Sequence, residues 1–245
     1  MSNKLRVVIF HVHLFKNAGT SLDASFKSYF GEKWITKEFE GNNDNKRKEV
    51  ERWIIENPDP SCFSSHTAVF PLPQIDGVEI IPVIFIRNPI DRIASAYSFE
   101  RKTKVSNLGA VLARNTTLKG YVEVRLAMGN DFQCRNFQAR RLATMYDGNE
   151  ELLLSAVKAI KSLPFIGIVE QFSQSLVRLE SILASKGFDD IQLNPVEKNV
   201  SRSTKNSLDE KIEEIRERLG EDIFNKLVEV NQADLTIWEL LNSRS

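Results

Sequence analysis

The sequence predicts an α/β protein, with a central, mainly parallel sheet flanked by helices. Three observations carry that expectation. The β-branched runs at 5–11 (LRVVIFH) and 79–86 (EIIPVIFI) are apolar at successive positions, as strands buried on both faces are. Each run leads into a short loop and then a helical pattern, which is the first half of a βαβ unit. Strand and helix patterns alternate along the chain, with no internal repeat or low-complexity stretch.

The elements follow in order. After the strand at 5–11 and its loop, a helix is expected over 22–29. Another is expected over 45–56, closed by Asn57-Pro58-Asp59-Pro60. The strand at 79–86 turns through 87–92 into a helix over 93–102. Residues 103–130 read as the least regular stretch, with Gly109, Gly120 and Gly129 as breaks. Helices are expected over 132–144 and 149–162, then a third buried strand at 165–169. An amphipathic helix over 171–186 stops at Gly187. Ser207 followed by Glu210 fits a capping box that opens a helix to about 219. A last helix is expected over 221–241.

Charge narrows the function. The chain has 33 Lys+Arg against 33 Asp+Glu, so no overall field draws it to nucleic acid or an anionic membrane. Any anion site must be local. Two cysteines, Cys62 and Cys134, make no disulfide framework. No apolar run is long enough to insert stably in a bilayer or act as a signal segment, so the chain reads as a cytoplasmic protein with one domain over 1–245. Its oligomeric state is not legible.

Parallel sheets bind ligands beyond the carboxyl ends of their strands. At the first such junction, Lys16, Asn17, Ala18, Gly19, Thr20 and Ser21 have the composition of a phosphate-binding turn. Glycine permits close backbone approach, two hydroxyls accompany the opening N–H groups of a helix, and lysine adds a point charge. It is not a Walker A loop, because the lysine precedes the glycine. At the second junction Arg87 ends a strand and Ser95 lies eight residues on. The arginine fork and the hydroxyl suit a second phosphate. Two such junctions imply a ligand with phosphates at two separated places.

His13-Leu14-Phe15-Lys16-Asn17-Ala18-Gly19-Thr20-Ser21-Leu22 resembles the H-x-P-K-T/G-A/G-G-T-S-L/F segment of sulfotransferases that use 3′-phosphoadenosine 5′-phosphosulfate (PAPS). That family includes the heparan sulfate uronosyl 2-O- and 6-O-sulfotransferases and bacterial carbohydrate-modifying relatives. Ile86-Arg87-Asn88-Pro89-Ile90-Asp91-Arg92-Ile93-Ala94-Ser95-Ala96-Tyr97 resembles its R-D/N-P-x-x-R-x-x-S-x-Y/F segment. Weaker echoes lie at 136–143, 165–176 and 231–239. Phe15 stands where the family has proline, and Asn17 where it has Thr or Gly.

The resemblance implies a P-loop-type three-layer fold, with the first loop on the 5′-phosphosulfate and Arg87 and Ser95 on the 3′-phosphate. It also implies a donor held without metal. Cys62-Phe63-Ser64-Ser65-His66-Thr67-Ala68-Val69-Phe70 resembles the segment carrying the proposed base of the uronosyl enzymes, which makes His66 the candidate base and Lys16 the group stabilising the leaving oxygen. Arg202 and Lys205 match a C-terminal phosphate-contacting loop loosely, and Arg140 is a candidate acceptor contact. The acceptor implied is a saccharide or glycolipid hydroxyl. His11 and His13 read as structural, since the spacing supplies no third zinc ligand. Two alternatives stay open: a small-molecule kinase using ATP and magnesium, and a non-catalytic nucleotide-binding protein of the same fold.

Overall fold

A computed structural model describes residues 5–146, 150–194 and 207–243. The strands are β1 (Arg6–Val12), β2 (Trp34–Thr36), β3 (Cys62–Ser65), β4 (Val78–Val83), β5 (Phe85–Ile86) and β6 (Gly167–Ile168). The helices are α1 (Gly19–Phe30), α2 (Asn43–Glu56), α3 (Pro89–Lys102), α4 (Leu108–Asn115), α5 (Leu118–Ala127), α6 (Phe137–Ala143), α7 (Leu152–Ser162), α8 (Phe172–Ala184), α9 (Leu208–Leu219), α10 (Glu221–Glu229) and α11 (Gln232–Asn242). The chain divides into two compact units, Met1–Ile86 with Arg141–Lys198 and Arg87–Arg140 with Asn199–Ser245.

Among the described residues the first unit holds every strand, and its four-stranded sheet runs β2-β3-β1-β4 with all pairs parallel. β1 is apolar from Val7 to Phe10 because it is an inner strand, between β3 and β4, covered on both faces. Its successive side chains enter opposite layers, as the two-residue period of a strand requires. Ile9 joins Leu22 and Phe26 of α1 and Leu176 and Leu179 of α8. Phe10 packs on Phe63 and on Trp53 of α2. These helices make the outer layers of a parallel α/β sheet.

The expected strand at 79–86 is two strands. β4 stays on β1 as far as Val83, then Ile84 accepts a 2.9 Å bond from the Gly167 N–H and β5 pairs with β6 instead. A Cβ on Gly167 would lie 2.4 Å from the Phe85 ring, so this crossing requires glycine. β2 and β3, with three and four residues, are too short to register as strand patterns.

The second unit is helical, with Tyr97, Tyr121, Val122, Ile215 and Leu227 in its core. Residues 103–130, expected to be irregular, hold α4 and α5, capped by Asn107 and Thr117. Gly109 and Gly120 lie inside these helices. At Gly109 a Cβ would sit 2.3 Å from Arg125 Nη2 and from Glu100 Oε1, so the glycine lets α4 close over a buried ion pair. The predicted helix at 132–144 begins only at Phe137, because Asn136 has left-handed backbone, φ 44°. The single helix expected over 221–241 is two, α10 and α11, broken at Val230 and Asn231. The capping box at Ser207 is present, with both reciprocal bonds made.

Candidate active site

The parallel register of β1 on β3 builds the first half of the site. Val12 is opposite Ser65, and the His13 N–H donates to the Ser65 carbonyl at 2.9 Å. The next residue on each strand is therefore a histidine beside a histidine. The His13 and His66 ring centroids are 3.7 Å apart, and His11 stacks on His13 at 4.9 Å.

Asp23 binds two of these rings. His11 Nδ1 is 2.8 Å from Asp23 Oδ1 and His13 Nδ1 is 2.9 Å from Oδ2. A carboxylate only accepts, so both rings carry the proton on Nδ1 and turn Nε2 the other way. The fold thus supplies the carboxylate that sequence spacing did not show, and the ligand atoms of the three lie within 4.8 Å of one another. The Nδ1–carboxylate distances are those of charge-assisted hydrogen bonds. Burial works to raise the Asp23 pKa, yet the two imidazoles overcome it and hold the carboxyl far below its usual range.

Gly19 belongs to the same packing. A Cβ there would lie 2.0 Å from His13 Cδ2. The glycine is therefore required by the His13 imidazole. Asp23, one turn on, shares that face of α1.

His66 lies just beyond β3. Its backbone N–H donates to both Glu38 oxygens, at 3.2 and 3.0 Å. Its carbonyl accepts 2.7 Å from Arg141 Nη2. The Glu38 carboxylate also accepts from the Ser65 and Thr67 hydroxyls. Ser65, standing where the family has glycine, is buried and receives the Thr67 and Ala68 N–H groups on its Oγ. One face of the His66 ring is covered by His13 while the residue stays exposed overall. That desolvation, with the neighbouring His13 imidazole, lowers the His66 pKa below 6.5, opposed by Glu38, Asp23 and a backbone hydrogen bond to His13.

The loop between β1 and α1 is shaped by backbone. Lys16 and Ala18 have φ of 64° and 58°, the left-handed region that costs a residue with a side chain about 1–2 kcal/mol. Asn17, between them, is buried and donates through Nδ2 to the Phe85 carbonyl at 2.7 Å. Its side chain thus anchors the loop to the end of β5. Ala18 places no side-chain cap on α1, and no acidic residue occupies the first turn. Thr20 is exposed and Ser21 half-buried. An anion is favoured at a helix end of this kind by the axial dipole and the converging N–H groups.

The second unit holds Arg87, Ser95 and Arg140. Arg87 directs Nε and Nη2 to Asp91 Oδ2, at 2.9 and 2.7 Å. The fork expected to face a phosphate is thus partly engaged by a carboxylate. Asp91 and half-buried Ser95 lie one turn apart on α3, and Arg87, just ahead of the Asn88 cap, reaches the first of them. Arg140 is exposed, its guanidinium 4.1 Å from the Phe132 ring centroid. Arg202 and Lys205 lie outside the described residues.

A family model described as "Sulfotransferase family" matches residues 4–240. The chain belongs to the sulfotransferase family. An uncharacterized protein of Archaeoglobus fulgidus is 41% identical over 242 residues, covering 96% of this chain and 95% of its own length. The family supports sulfuryl transfer as the general activity of this sulfotransferase. Among the described residues, no helix is long and apolar enough to cross a membrane. Asp23 and Glu38 are absent from the sequence reading, because each reaches its partner only through the fold. Asp91 is legible only as a helix-start partner of Arg87, and Arg141 only as part of a basic cluster with Arg135 and Arg140.

Proposed function

We propose that this sulfotransferase moves a sulfuryl group from PAPS to an acceptor hydroxyl, on a saccharide or glycolipid, with 1–245 acting as one domain. The observation that carries the reading is the left-handed, anchored loop at Lys16 and Ala18, which opens an uncapped α1. Backbone strain persists where surrounding structure enforces it, and here Asn17 supplies the anchor. The donor contributes the sulfuryl group and departs as 3′-phosphoadenosine 5′-phosphate (PAP). In this reading Lys16 sits where negative charge grows on the leaving oxygen, Gly19, Thr20 and Ser21 cradle the 5′ end, and Arg87 and Ser95 take the 3′-phosphate. The acceptor oxygen forms the new S–O bond as the bond to the 5′-phosphate breaks, and its proton passes to a ring nitrogen of His66. Exposed Arg140 over Phe132 is the acceptor contact this reading retains.

Calorimetric titration tests it. PAP is expected to bind tightly without magnesium, with affinity lost when the 3′-phosphate is absent. Preference for ATP with magnesium would move the chain to the kinases. His66→Ala is expected to lower turnover by about 10²–10⁴-fold while leaving PAP affinity unchanged. Intact turnover would remove His66 as base, whereas PAP binding with no turnover in the unaltered protein would favour the non-catalytic reading. Protonated His66 cannot accept a proton, and its pKa is lowered, so kcat/KM should stay level at neutral pH and fall on acidification through a value below 6.5.

A further inference from the structure

We propose that Gln138 is a positioning residue for 3′-phosphate recognition, holding the Arg87 backbone under the control of Asp234. The inference rests on the reading that Arg87 takes that phosphate. Gln138 is fully buried, and both ends of its side-chain amide meet Arg87. Its Oε1 accepts the Arg87 N–H at 2.8 Å, and its Nε2 donates to the Arg87 carbonyl at 2.8 Å. That is the pairing a neighbouring strand gives a residue in a sheet. Arg87 is the first residue beyond β5, so a side chain continues the ladder for one residue after the strand ends.

Gln138 is itself held. Its backbone N–H donates to Asp234 Oδ2 at 3.1 Å, and the Ala139 N–H donates to Oδ1 at 2.7 Å. Asp234 is fully buried; burial raises its pKa, countered by these N–H groups, the Arg92 charge and the Gln138 amide. Its own N–H donates to Asn136 Oδ1 at 3.1 Å, and the Asn136 N–H donates to Asn231 Oδ1 at 2.9 Å. Asn231 Nδ2 closes the network on the Cys134 and Leu227 carbonyls, each at 2.8 Å. The break between α10 and α11 and the left-handed turn at Asn136 are the two bends that bring these groups together. A primary amide carries an acceptor oxygen and a donor nitrogen side by side, and at the length of glutamine both reach the Arg87 backbone. Arg87 Nε and Nη2 already lie on Asp91, so with the backbone fixed as well the guanidinium is aimed before any ligand arrives.

The test compares Gln138→Met, which keeps side-chain length and loses both bonds, with Arg87→Ala. The readouts are Kd for PAP, Kd for AMP, which lacks the 3′-phosphate, and hydrogen exchange at the Arg87 amide by NMR. Gln138→Met should reduce the AMP-to-PAP Kd ratio by about tenfold or more, leave Kd for AMP unchanged, and speed exchange at Arg87. If Arg87→Ala collapses the ratio while Gln138→Met preserves it, the positioning role is overturned. If exchange at Arg87 is unchanged in Gln138→Met, the clamp itself is overturned. If Arg87→Ala leaves the ratio intact, the Arg87 reading fails and takes this inference with it. Should Gln138→Met fail to fold, Gln138→Asn serves the same readouts, since it keeps the amide but, one methylene shorter, withdraws it from the Arg87 backbone.

Discussion

Two strand-to-helix turns, one in each unit, meet the same physical problem in opposite ways. The first N–H groups of any helix lack intrahelical acceptors. At α3 the protein supplies its own: Asn88 Oδ1 accepts from Ile90 and Asp91 at 3.0 and 3.3 Å, Pro89 removes one donor, and the Asp91 carboxylate lies in the first turn. At α1 there is no side-chain cap and no first-turn acid, and the approach runs through left-handed Lys16 and Ala18. One turn is stabilised by its own side chains. The other carries backbone strain and has no acidic residue in its first turn. On the proposed reading, an anion at the first would meet backbone and Lys16; at the second it would have to be served by side chains, because the carboxylate and cap are already there.

The largest test of this contrast is Lys16→Gly. Removing the charge should lower kcat by about 10²–10³-fold, as loss of one group stabilising a developing oxyanion does. The same change relieves a left-handed φ, so stability to urea should rise, by up to about 1 kcal/mol after the entropy glycine adds to the unfolded chain. Activity and stability moving in opposite directions would mark the loop as strained for function. A fall in both would mean that the conformation of Lys16 is not a cost, and the contrast would fail on that side.

Asn88→Ala is the matching change at the second turn. It removes the acceptor for two N–H groups and should cost about 1 kcal/mol in urea unfolding, as loss of an N-cap does. PAP affinity should change little, because Asn88 is part of the helix start and is assigned no phosphate. An affinity loss of tenfold or more would show that the second turn also binds through its helix end.

Much of this contrast was legible in sequence, because its signals are local. The β-branched run of β1, the Asn88-Pro89 start of α3 and the Ser207–Glu210 capping box are each read within a few residues. Gly109 and Gly120 misled for the complementary reason. Their meaning depends on residues distant in the chain, such as Arg125 and Glu100, which a Cβ at 109 would strike. The caps Asn107 and Thr117 were present as helix-start signals, but the glycines outweighed them in a local reading. The site behaves likewise. Lys16 and His66 are candidates through motifs, whereas the His13–His66 stack follows from strand register and Asp23 meets its imidazoles only when α1 packs back on β1. Gln138 sits 51 residues from the backbone it holds, and Asp234 a further 96, so no spacing rule reaches them.

The smallest expected effect is at Asp91. Its carboxylate directs Arg87 through two bonds to Oδ2, and it also places a negative charge on the stripe that carries Ser95. These contributions oppose each other for a phosphate. Asp91→Asn keeps an oxygen acceptor for the guanidinium while removing the charge, so PAP should bind up to about threefold more tightly at low salt, with the gain fading as salt screens the pair. Stability should fall by about 0.5–1 kcal/mol, since a carboxylate in the first turn of α3 is lost. Affinity for AMP, which offers nothing to Arg87, should stay the same. Weaker PAP binding would mean that orientation outweighs repulsion and that the ion pair, rather than the guanidinium alone, is the unit that meets the phosphate.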